Sequence, residues 1–356
     1  MRFRPEWRAA PQAHFAIGVT SSGQGFVPLR FAERTYRVYD NANLSIYSAQ
    51  TCNAKCPFCV EELRPLSRGT ALGEQKRIES DDAVYFAKLE QTLQAVRRLR
   101  PSISMTGGEI SKDPRLPEIL RLLVKHETRK RVMTTNGSGL LETRDGSLVI
   151  DHVLRGGLSH LNLSRAHPNQ ATNQRLMRFD VLHENAELEQ LLSRARRPGG
   201  PRVRLSCVLV RGGIDSFEGV LAYLEWAASL GVDNVIFRQL MQYDRSTYRD
   251  NVITRFNDAA SIDMHPILER LRPSTEAPAA PRFELTRQVL GYYYYVEVYR
   301  FAGPRGPMDV CFEGANLATL EARKQRPGDE DVVHELIFHP NARLCSTWQP
   351  WDGVLL

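Results

Sequence analysis

The sequence contains no long run of apolar residues. No stretch approaches the roughly 18 apolar residues that a membrane-spanning helix needs, which argues against a membrane protein. The basic residues 1–8 are not followed by an apolar segment, so they do not have the form of a secretory signal. Cysteine is scarce, with six in 356 residues, and a chain of this length can bury a large core without disulfides. We therefore expect a cytoplasmic protein whose cysteines are free or bound to a metal.

No charge of one sign dominates the sequence, and lysine is rare. The 47 basic and 41 acidic residues give a net charge of 47 − 41 = +6, and only seven of the basic residues are lysine. The basic residues are scattered, whereas a nucleic-acid-binding protein usually concentrates them in one stripe. The 42% hydrophobic and 25% charged residues are typical of a soluble globular chain. These values argue against both a membrane and a nucleic acid as partners.

The sequence also lacks a repeat of fixed period, and its length predicts two domains or one barrel with an appendix. Six short strand-like segments, most of them followed by a helical segment, occupy its central part. They are residues 43–48, 102–105, 131–134, 160–163, 203–210 and 234–237. This alternation predicts parallel βα units, in which ligands bind at the carboxyl ends of the strands. After about residue 250 a Pro/Ala-rich loop and further strand-like segments predict a β-rich region instead.

Three of the six cysteines lie in one short segment with the spacing C-x3-C-x2-C. Cys52, Cys56 and Cys59 follow the first predicted strand, and random placement rarely gives this spacing. Three thiolates from one loop can hold three corners of a metal centre. A tetrahedral zinc ion needs a fourth ligand, and the loop contains no further His or Cys. A [4Fe–4S] cluster with three cysteine ligands keeps one iron open for a non-protein ligand; a zinc knuckle and free cysteines are the alternatives.

This segment resembles the signature of the radical S-adenosylmethionine (SAM) enzymes. In that family three cysteines follow the first strand, and an aromatic residue, here Phe58, precedes the third cysteine. Gly107, Gly108 and Glu109 resemble the family's GGE motif, which contacts the amino end of SAM, although Ile110 replaces the usual proline.

The similarity extends over about residues 43–240 and implies an α/β fold with a (β/α)6 partial TIM barrel. The barrel is expected at residues 44–250. An N-terminal extension is expected at residues 1–43 and a small β-rich C-terminal cap, forming the substrate region, at residues 251–356.

The resemblance implies further cofactor contacts at the ends of the later strands. Asn136 follows the third strand, Ser164 and Arg165 end the fourth, and Leu209 lies near the end of the fifth. In the family these places contact SAM, with Ser164 and Arg165 at its ribose and carboxylate and the Leu209 backbone at its adenine. Three of these residues also have a purely structural interpretation. Asn136 could form a turn, Ser164 could cap a helix, and Arg165 could form a surface ion pair.

The resemblance also implies the cofactors and the reaction type. One [4Fe–4S] cluster is expected to bind SAM through its open iron and to break an S–C bond of SAM when reduced. The 5′-deoxyadenosyl radical then removes a hydrogen atom from the substrate. Such enzymes take their electron from a reducing donor such as flavodoxin or ferredoxin.

The sequence constrains the substrate less than it constrains the cofactors. We expect a small polar molecule of specialised metabolism, such as a sugar, an aminocyclitol or a nucleoside intermediate. Epimerisation, dehydrogenation, decarboxylation and rearrangement are open outcomes. The alternatives are a peptide-modifying enzyme, an RNA-modifying enzyme and a non-catalytic zinc or iron–sulfur module. The cysteine content is too low for the auxiliary-cluster domains of many peptide-modifying relatives.

Three cysteines lie outside the motif. Cys207 falls inside a predicted strand, where a buried thiol packs as a small hydrophobe. Cys311 and Cys345 lie in the C-terminal region. A thiol beside the site could donate a hydrogen atom to a product radical, as in radical epimerases. Cys311 is the first candidate for this role and Cys345 the second, with an inert half-buried thiol as the alternative.

Overall fold

The computed structural model describes residues 25–126, 128–179, 185–271, 282–290, 293–324 and 328–356. The first 24 residues of the expected N-terminal extension lie outside the described part. The described strands are β1 Phe26–Phe31, β2 Arg34–Tyr39, β3 Asn43–Ser48, β4 Ser102–Gly107, β5 Lys130–Thr135, β6 Thr143–Arg144, β7 Ser147–Leu148, β8 His160–Ser164, β9 Arg202–Leu209, β10 Asn234–Gln239, β11 Phe283–Leu290, β12 Tyr294–Gly303, β13 Gly306–Ala315, β14 Val332–Val333, β15 Leu336–Phe338 and β16 Leu344–Cys345. The described α-helices are α1 Leu72–Gln75, α2 Asp82–Ala95, α3 Leu116–Lys125, α4 Val149–Arg155, α5 Gln170–Met177, α6 Asn185–Ala195, α7 Phe217–Ser229, α8 Val252–Ala260, α9 His265–Leu271 and α10 Leu317–Lys324.

One large mixed sheet organises the described residues. Its strand order is β11-β12-β13-β10-β9-β8-β5-β4-β3-β15-β16. The six strands predicted from the sequence lie side by side in chain order and pair in parallel. The predicted α/β arrangement of parallel βα units is thus present at the centre of this sheet.

The helices follow from local sequence signals. Asp81 caps the start of α2, where its side chain accepts a hydrogen bond from the backbone amide of Ala83 at 2.8 Å. Leu116, Leu120 and Leu123 recur on one side of α3 and are all buried, as the helical spacing predicts. This helix therefore presents an apolar stripe that can cover the sheet. None of the described helices is both long and apolar enough to cross a membrane.

The strands of the sheet present two different faces, because successive side chains point to opposite sides. Leu161, Leu163 and Leu205 join the main hydrophobic core with helix residues. The alternate positions carry mostly polar side chains, and we call this side the polar face. Strand register places on it, among others, Ser104, Lys130, Thr134, His160, Asn162, Ser164, Arg202, Arg204, Ser206, Arg238, Glu284, Arg287, Arg300, Asp309, Cys311 and Glu313.

The C-terminal strands extend the central sheet at both of its sides. At one side β13 pairs in parallel with β10, and β12 and β11 follow in antiparallel order. At the other side β15 pairs in parallel with β3, and β16 follows in antiparallel order. The β-rich content expected after residue 250 is therefore joined to the same sheet. The division of the chain at residues 43 and 250 remains a prediction.

Candidate functional site

The predicted site residues follow the carboxyl ends of adjacent parallel strands, which meet at one edge of the sheet. The cysteine loop, residues 49–59, follows β3, and Glu109 follows β4. Asn136 follows β5, and Arg165 follows β8. Because these four strands are consecutive neighbours in the sheet, segments far apart in the sequence are brought together.

Gly107 and Gly108 allow the end of β4 to pack tightly against the start of the cysteine loop. Gly107 has a φ of 137°, a conformation that glycine adopts readily. A Cβ atom at Gly108 would lie 1.7 Å from the carbonyl oxygen of Gln50. The Gly108 amide donates to Ser48 O at 3.2 Å, and the Glu109 amide donates to Gln50 O at 3.1 Å. Both glycines therefore position the loop, and their contact with SAM remains a prediction.

The three thiols of the cysteine loop are half-buried. Cys56 Sγ lies 3.3 Å from the carbonyl oxygen of Met177 and 3.8 Å from its Sδ. Cys52 Sγ accepts from the Ala54 amide at 3.4 Å. Burial, followed by the negative charge of Glu61, raises the pKa of Cys59 to about 12. Burial and the neighbouring cysteines likewise raise the pKa of Cys56. Cys56 and Cys59 therefore favour the neutral thiol in the free loop, and a metal centre would have to displace their protons.

The donor set of this loop fits an iron–sulfur cluster, whose irons are held by cysteine thiolates. Within the described ranges, no three His, Cys, Asp or Glu side chains are grouped as ligands of a single ion. The cysteines of a cluster each bind a different iron, so a cluster does not require their sulfurs to meet at one point. Cys52, Cys56 and Cys59 would supply three thiolates from one side.

A buried ion pair anchors the segment directly after the loop. Lys76 is 3% exposed, and its Nζ lies 2.9 Å from each carboxylate oxygen of Glu61. The Tyr47 hydroxyl donates to Glu61 Oε2 at 3.0 Å. Lys76 Nζ also lies 4.9 Å from the ring centroid of Tyr47 and 5.3 Å from that of Trp348. Sequence reasoning missed this group, because no local pattern links Glu61 with Lys76 or Trp348.

Glu109 is 2% exposed and binds donors from its own chain. Its Oε1 accepts from the amide and hydroxyl of Ser111 at 2.9 and 2.6 Å, and also from the Thr135 hydroxyl. Its Oε2 accepts from the Asn136 amide at 2.8 Å. Each oxygen of a carboxylate offers about two lone-pair sites, so Oε2, which accepts from one donor here, retains capacity for a second. The carboxylate thus joins the ends of β4 and β5, and its contact with SAM remains a prediction.

Asn136 connects this carboxylate to the cysteine loop. Its Nδ2 donates to Asn53 Oδ1 at 3.0 Å and lies 3.5 Å from Cys52 Sγ. The Ser138 hydroxyl donates to the same Asn53 oxygen at 2.9 Å. Asn136 Oδ1 in turn accepts from the Ser138 amide at 2.9 Å, as in the turn that its sequence predicts. Cys52, Glu109 and Asn136 therefore belong to one hydrogen-bonded network.

Ser164 and Arg165 line a second part of the same edge, in a cavity shared with Asn136. Arg165 is buried and donates to Asn185 Oδ1, so it is not the surface ion pair of the alternative interpretation. Burial lowers the pKa of Arg165. Leu209 is fully buried in the main hydrophobic core, so only its backbone is available for the predicted contact.

The remaining cysteines occupy different environments. Cys207 is fully buried in the main hydrophobic core, as predicted for a strand thiol. Cys345 is fully buried in β16. Cys311 lies on the polar face, is 8% exposed, and packs with Ile236 and Val298. Strand register places both Cys311 and Cys345 on the side of the polar face, at opposite ends of the strand order, and Cys207 on the other side.

No family model matches the sequence, and no curated protein matches it. Among solved structures, SuiB of Streptococcus suis bound to its precursor peptide SuiA is 17% identical, with a TM-score of 0.41. The match covers 56% of this chain and 39% of SuiB, so the chain spans about two fifths of SuiB. Coproporphyrinogen III oxidase (HemN) from Escherichia coli, a radical SAM enzyme, is 13% identical, with a TM-score of 0.38 and coverage of 74% and 68%. A radical SAM methyltransferase from Sphaerobacter thermophilus is 19% identical, with a TM-score of 0.37 and coverage of 65% and 73%. Because these similarities are weak, the functional argument rests on this chain's own residues.

Proposed function

We propose that this chain is a radical SAM enzyme with one [4Fe–4S] cluster and SAM as cofactors. One observation carries the proposal: two motifs about 50 residues apart in the sequence pack against each other at the strand ends. The amides of Gly108 and Glu109 bind the backbone around Gln50, and Asn136 connects Glu109 to Cys52. A zinc knuckle or free cysteines would not require this convergence.

The central strands support the proposed partial barrel. Six parallel strands lie in chain order, and the cysteine loop follows the first of them. In such α/β folds the carboxyl ends of the strands form the ligand site. The (β/α)6 partial barrel, with an N-terminal extension and a C-terminal cap, is therefore the architecture that we propose for this activity.

Each residue of the site has a proposed role. Cys52, Cys56 and Cys59 hold three irons of the cluster. Gly107, Gly108 and Glu109 contact the amino end of SAM, Asn136 supports them, and Ser164, Arg165 and the Leu209 backbone contact its remaining groups. When bound and reduced, the cofactors supply the radical chemistry, and the protein orients the reactants and excludes water.

The polar face supports a small polar molecule as the substrate. A sugar, aminocyclitol or nucleoside would find hydroxyl, amide and charged partners there, whereas an apolar substrate would leave these groups unpaired. A flavodoxin or ferredoxin in the cytoplasm would supply the electron. Epimerisation, dehydrogenation, decarboxylation and rearrangement are all compatible with this arrangement.

Anaerobic reconstitution tests the proposed function. The wild-type protein should bind about four irons per chain and cleave SAM to 5′-deoxyadenosine when reduced with dithionite. Cys52→Ala, Cys56→Ala and Cys59→Ala should lose both properties. Cys207→Ala should keep both, because its thiol lies in the hydrophobic core. About eight irons would contradict a single cluster, and zinc without SAM cleavage would identify a non-catalytic module.

Cys311 is the proposed hydrogen donor if the reaction is an epimerisation. Its S–H hydrogen would pass to the substrate carbon radical, leaving a thiyl radical that needs one electron and one proton to return to the thiol. With the true substrate in deuterated buffer, the wild-type product should acquire deuterium at the carbon that lost hydrogen. Cys311→Ala should stall after forming 5′-deoxyadenosine. Full turnover by this variant, or a product lacking two hydrogens, would exclude this role.

A further inference from the structure

The polar face carries more positive than negative charge around Cys311. Strand register places six basic side chains and three carboxylates on this face, a balance of 6 − 3 = +3. The carboxylates are Glu284, Asp309 and Glu313. Two of the basic residues, Arg202 and Arg300, pair with Asp309, and the other four cations are Lys130, Arg204, Arg238 and Arg287. Isolated like charges on a partly buried surface repel one another and favour an anionic ligand.

Asp233 and Asp309 already have basic partners. Arg202 contacts Asp233 at 3.1 Å and Asp309 at 2.5 Å. Arg300 contacts Asp309 at 3.2 Å. Burial, the largest cause, lowers the pKa of His160 to about 4, so this side chain adds no positive charge near neutral pH. With Asp233 counted beside Arg202, an excess of 3 − 1 = +2 positive charges remains.

The four cations lie close enough for their charges to influence one another and Cys311. Arg238 Nε lies 3.4 Å from Glu313 Oε1, and Arg238 Nη1 lies 3.5 Å from Ser206 Oγ. The charges of Arg204, Arg287 and Arg238 lower the pKa of Cys311, although burial raises it overall. Burial, together with the charges of Arg204 and Arg287, lowers the pKa of Lys130. The cations are thus within electrostatic reach of one another.

A buried acceptor without a partner lies on the same face. Asn162 is 3% exposed, and its Nδ2 donates to Thr134 Oγ1 at 3.2 Å. Its Oδ1 has no hydrogen-bond partner among the described residues. Asn162 is in register with Arg204 on the neighbouring strand, so its side chain points to the same side. A buried acceptor without a partner favours binding of a ligand that can donate a hydrogen bond to it.

We propose that this part of the polar face binds an oxyanion of the substrate, either a carboxylate or a phosphate. Asn162 Oδ1 would accept a hydrogen bond from a hydroxyl or amine of the same molecule. The inference rests on the proposed function, because it defines the substrate of that same site as a hydroxylated or aminated small anion. Guanidinium groups suit this task, since their fork of donors matches the oxygens of carboxylate and phosphate.

The position of a cavity next to the cysteine loop indicates how the substrate is oriented. Phe58 lines a cavity of about 140 Å³ together with Arg238 and Glu313. Arg204 lies four residues before Val208 on β9, and Val208 is in register with Arg238. The oxyanion therefore binds on the side of Arg204 and Lys130, and the rest of the molecule extends past Arg238 towards the loop.

Equilibrium dialysis of the full-length protein with labelled inorganic phosphate tests this site, and labelled tartrate serves as a hydroxylated carboxylate. The wild type should show one saturable site for at least one probe at constant ionic strength.

Arg204→Gln should weaken binding about 10-fold or more, because one charge-assisted hydrogen bond is lost. Arg287→Gln, at an exposed position, should also weaken it, so a misfolded Arg204 variant does not prevent the test. Preference for phosphate or tartrate identifies the anionic group.

Arg98→Gln is the matched control, because it removes the same charge from an exposed position away from the polar face. Its affinity should equal that of the wild type. Absence of a saturable site, or an equal loss in Arg98→Gln, would overturn the inference. SAM cleavage by the wild type without substrate is measured in parallel. Cleavage without anion binding refutes only the anion site, whereas anion binding without a cluster or cleavage refutes the proposed enzyme.

Discussion

At the scale of single residues, the closest backbone approach in the site lies at Gly108. Its α-carbon faces Gln50, and an added Cβ would overlap the carbonyl oxygen of that residue. Because the obstacle is backbone rather than a flexible side chain, it cannot rotate away. The start of the cysteine loop would have to shift.

We expect Gly108→Ala to reduce the free energy of unfolding by about 1–3 kcal/mol, the usual cost of overpacking. Cluster content after reconstitution should fall as well, because the loop is displaced. Urea unfolding and iron analysis measure the two effects. Gly69→Ala is the control, since a Cβ at Gly69 meets nothing within 4 Å. Equal behaviour of the two variants would contradict the role of the close approach.

The Glu109 carboxylate accepts four hydrogen bonds within the chain. Glu109→Gln replaces one acceptor oxygen with a donor, so at least one of these donors loses its partner. We expect a loss of about 1–3 kcal/mol in the free energy of unfolding. If the remaining capacity of Oε2 binds the SAM ammonium group, SAM affinity should also fall about 10- to 150-fold.

Urea unfolding and dialysis with labelled SAM separate these two effects. Glu142→Gln serves as the control, because Glu142 is exposed and its ion pairs are with the partly exposed Lys112 and Arg144. Unchanged SAM affinity in both Glu109→Gln and Glu109→Ala would remove Glu109 from SAM binding while leaving its structural role intact.

At the scale of elements, the segment after Cys59 is held by the ion pair of Glu61 and Lys76. Removing one member of a buried pair leaves an uncompensated charge. We expect Lys76→Met to cost about 3 kcal/mol in urea unfolding and to lower cluster retention. Lys112→Met should cost less than about 1 kcal/mol, because its pair with Glu142 is more exposed.

The double variant Lys76→Met/Glu61→Gln checks the cause. It should recover part of the lost stability, because the unpaired carboxylate is then neutral. A double variant as unstable as the sum of its single variants would assign the loss to packing against Tyr47 and Trp348 instead.

The sequence was informative wherever a signal was local. The spacing of Cys52, Cys56 and Cys59, the glycines after β4 and the six central strands could all be predicted from short patterns. The partners of Glu61 and Glu109 could not, because Lys76 and Thr135 are brought to them only by tertiary structure. The excess charge of the polar face was also hidden, since its members come from different strands.

At the scale of the whole molecule, the sheet continues beyond the six predicted strands. The sequence indicates strand-like segments after residue 250, but it does not indicate their partners. The structure pairs β13 with β10 and β15 with β3. Such long-range pairing depends on how the complete sheet assembles, and no local pattern encodes it.

Phe338 in β15 provides a test of this pairing. It is fully buried, and its ring centroid lies 5.1 Å from that of Tyr85 in α2. We expect Phe338→Ala to cost about 3–5 kcal/mol in urea unfolding, because it leaves a cavity beside β3. Phe26→Ala should cost much less, since Phe26 is 40% exposed. A small effect at Phe338 would mean that the β15 side of the sheet contributes little.

The pairing of β15 with β3 also orders events during synthesis. Leu336 pairs with Leu44, so the ribosome must add 336 − 44 = 292 residues before the two can meet. At about 5–20 residues per second this takes roughly 15 to 60 s, during which one side of β3 remains an open edge. An open edge strand invites aggregation, and β3 leads directly into the cysteine loop. We therefore expect iron and sulfide of the proposed cluster to be inserted after this region has been translated. Slower expression and added chaperones should then raise the yield of cluster-loaded protein.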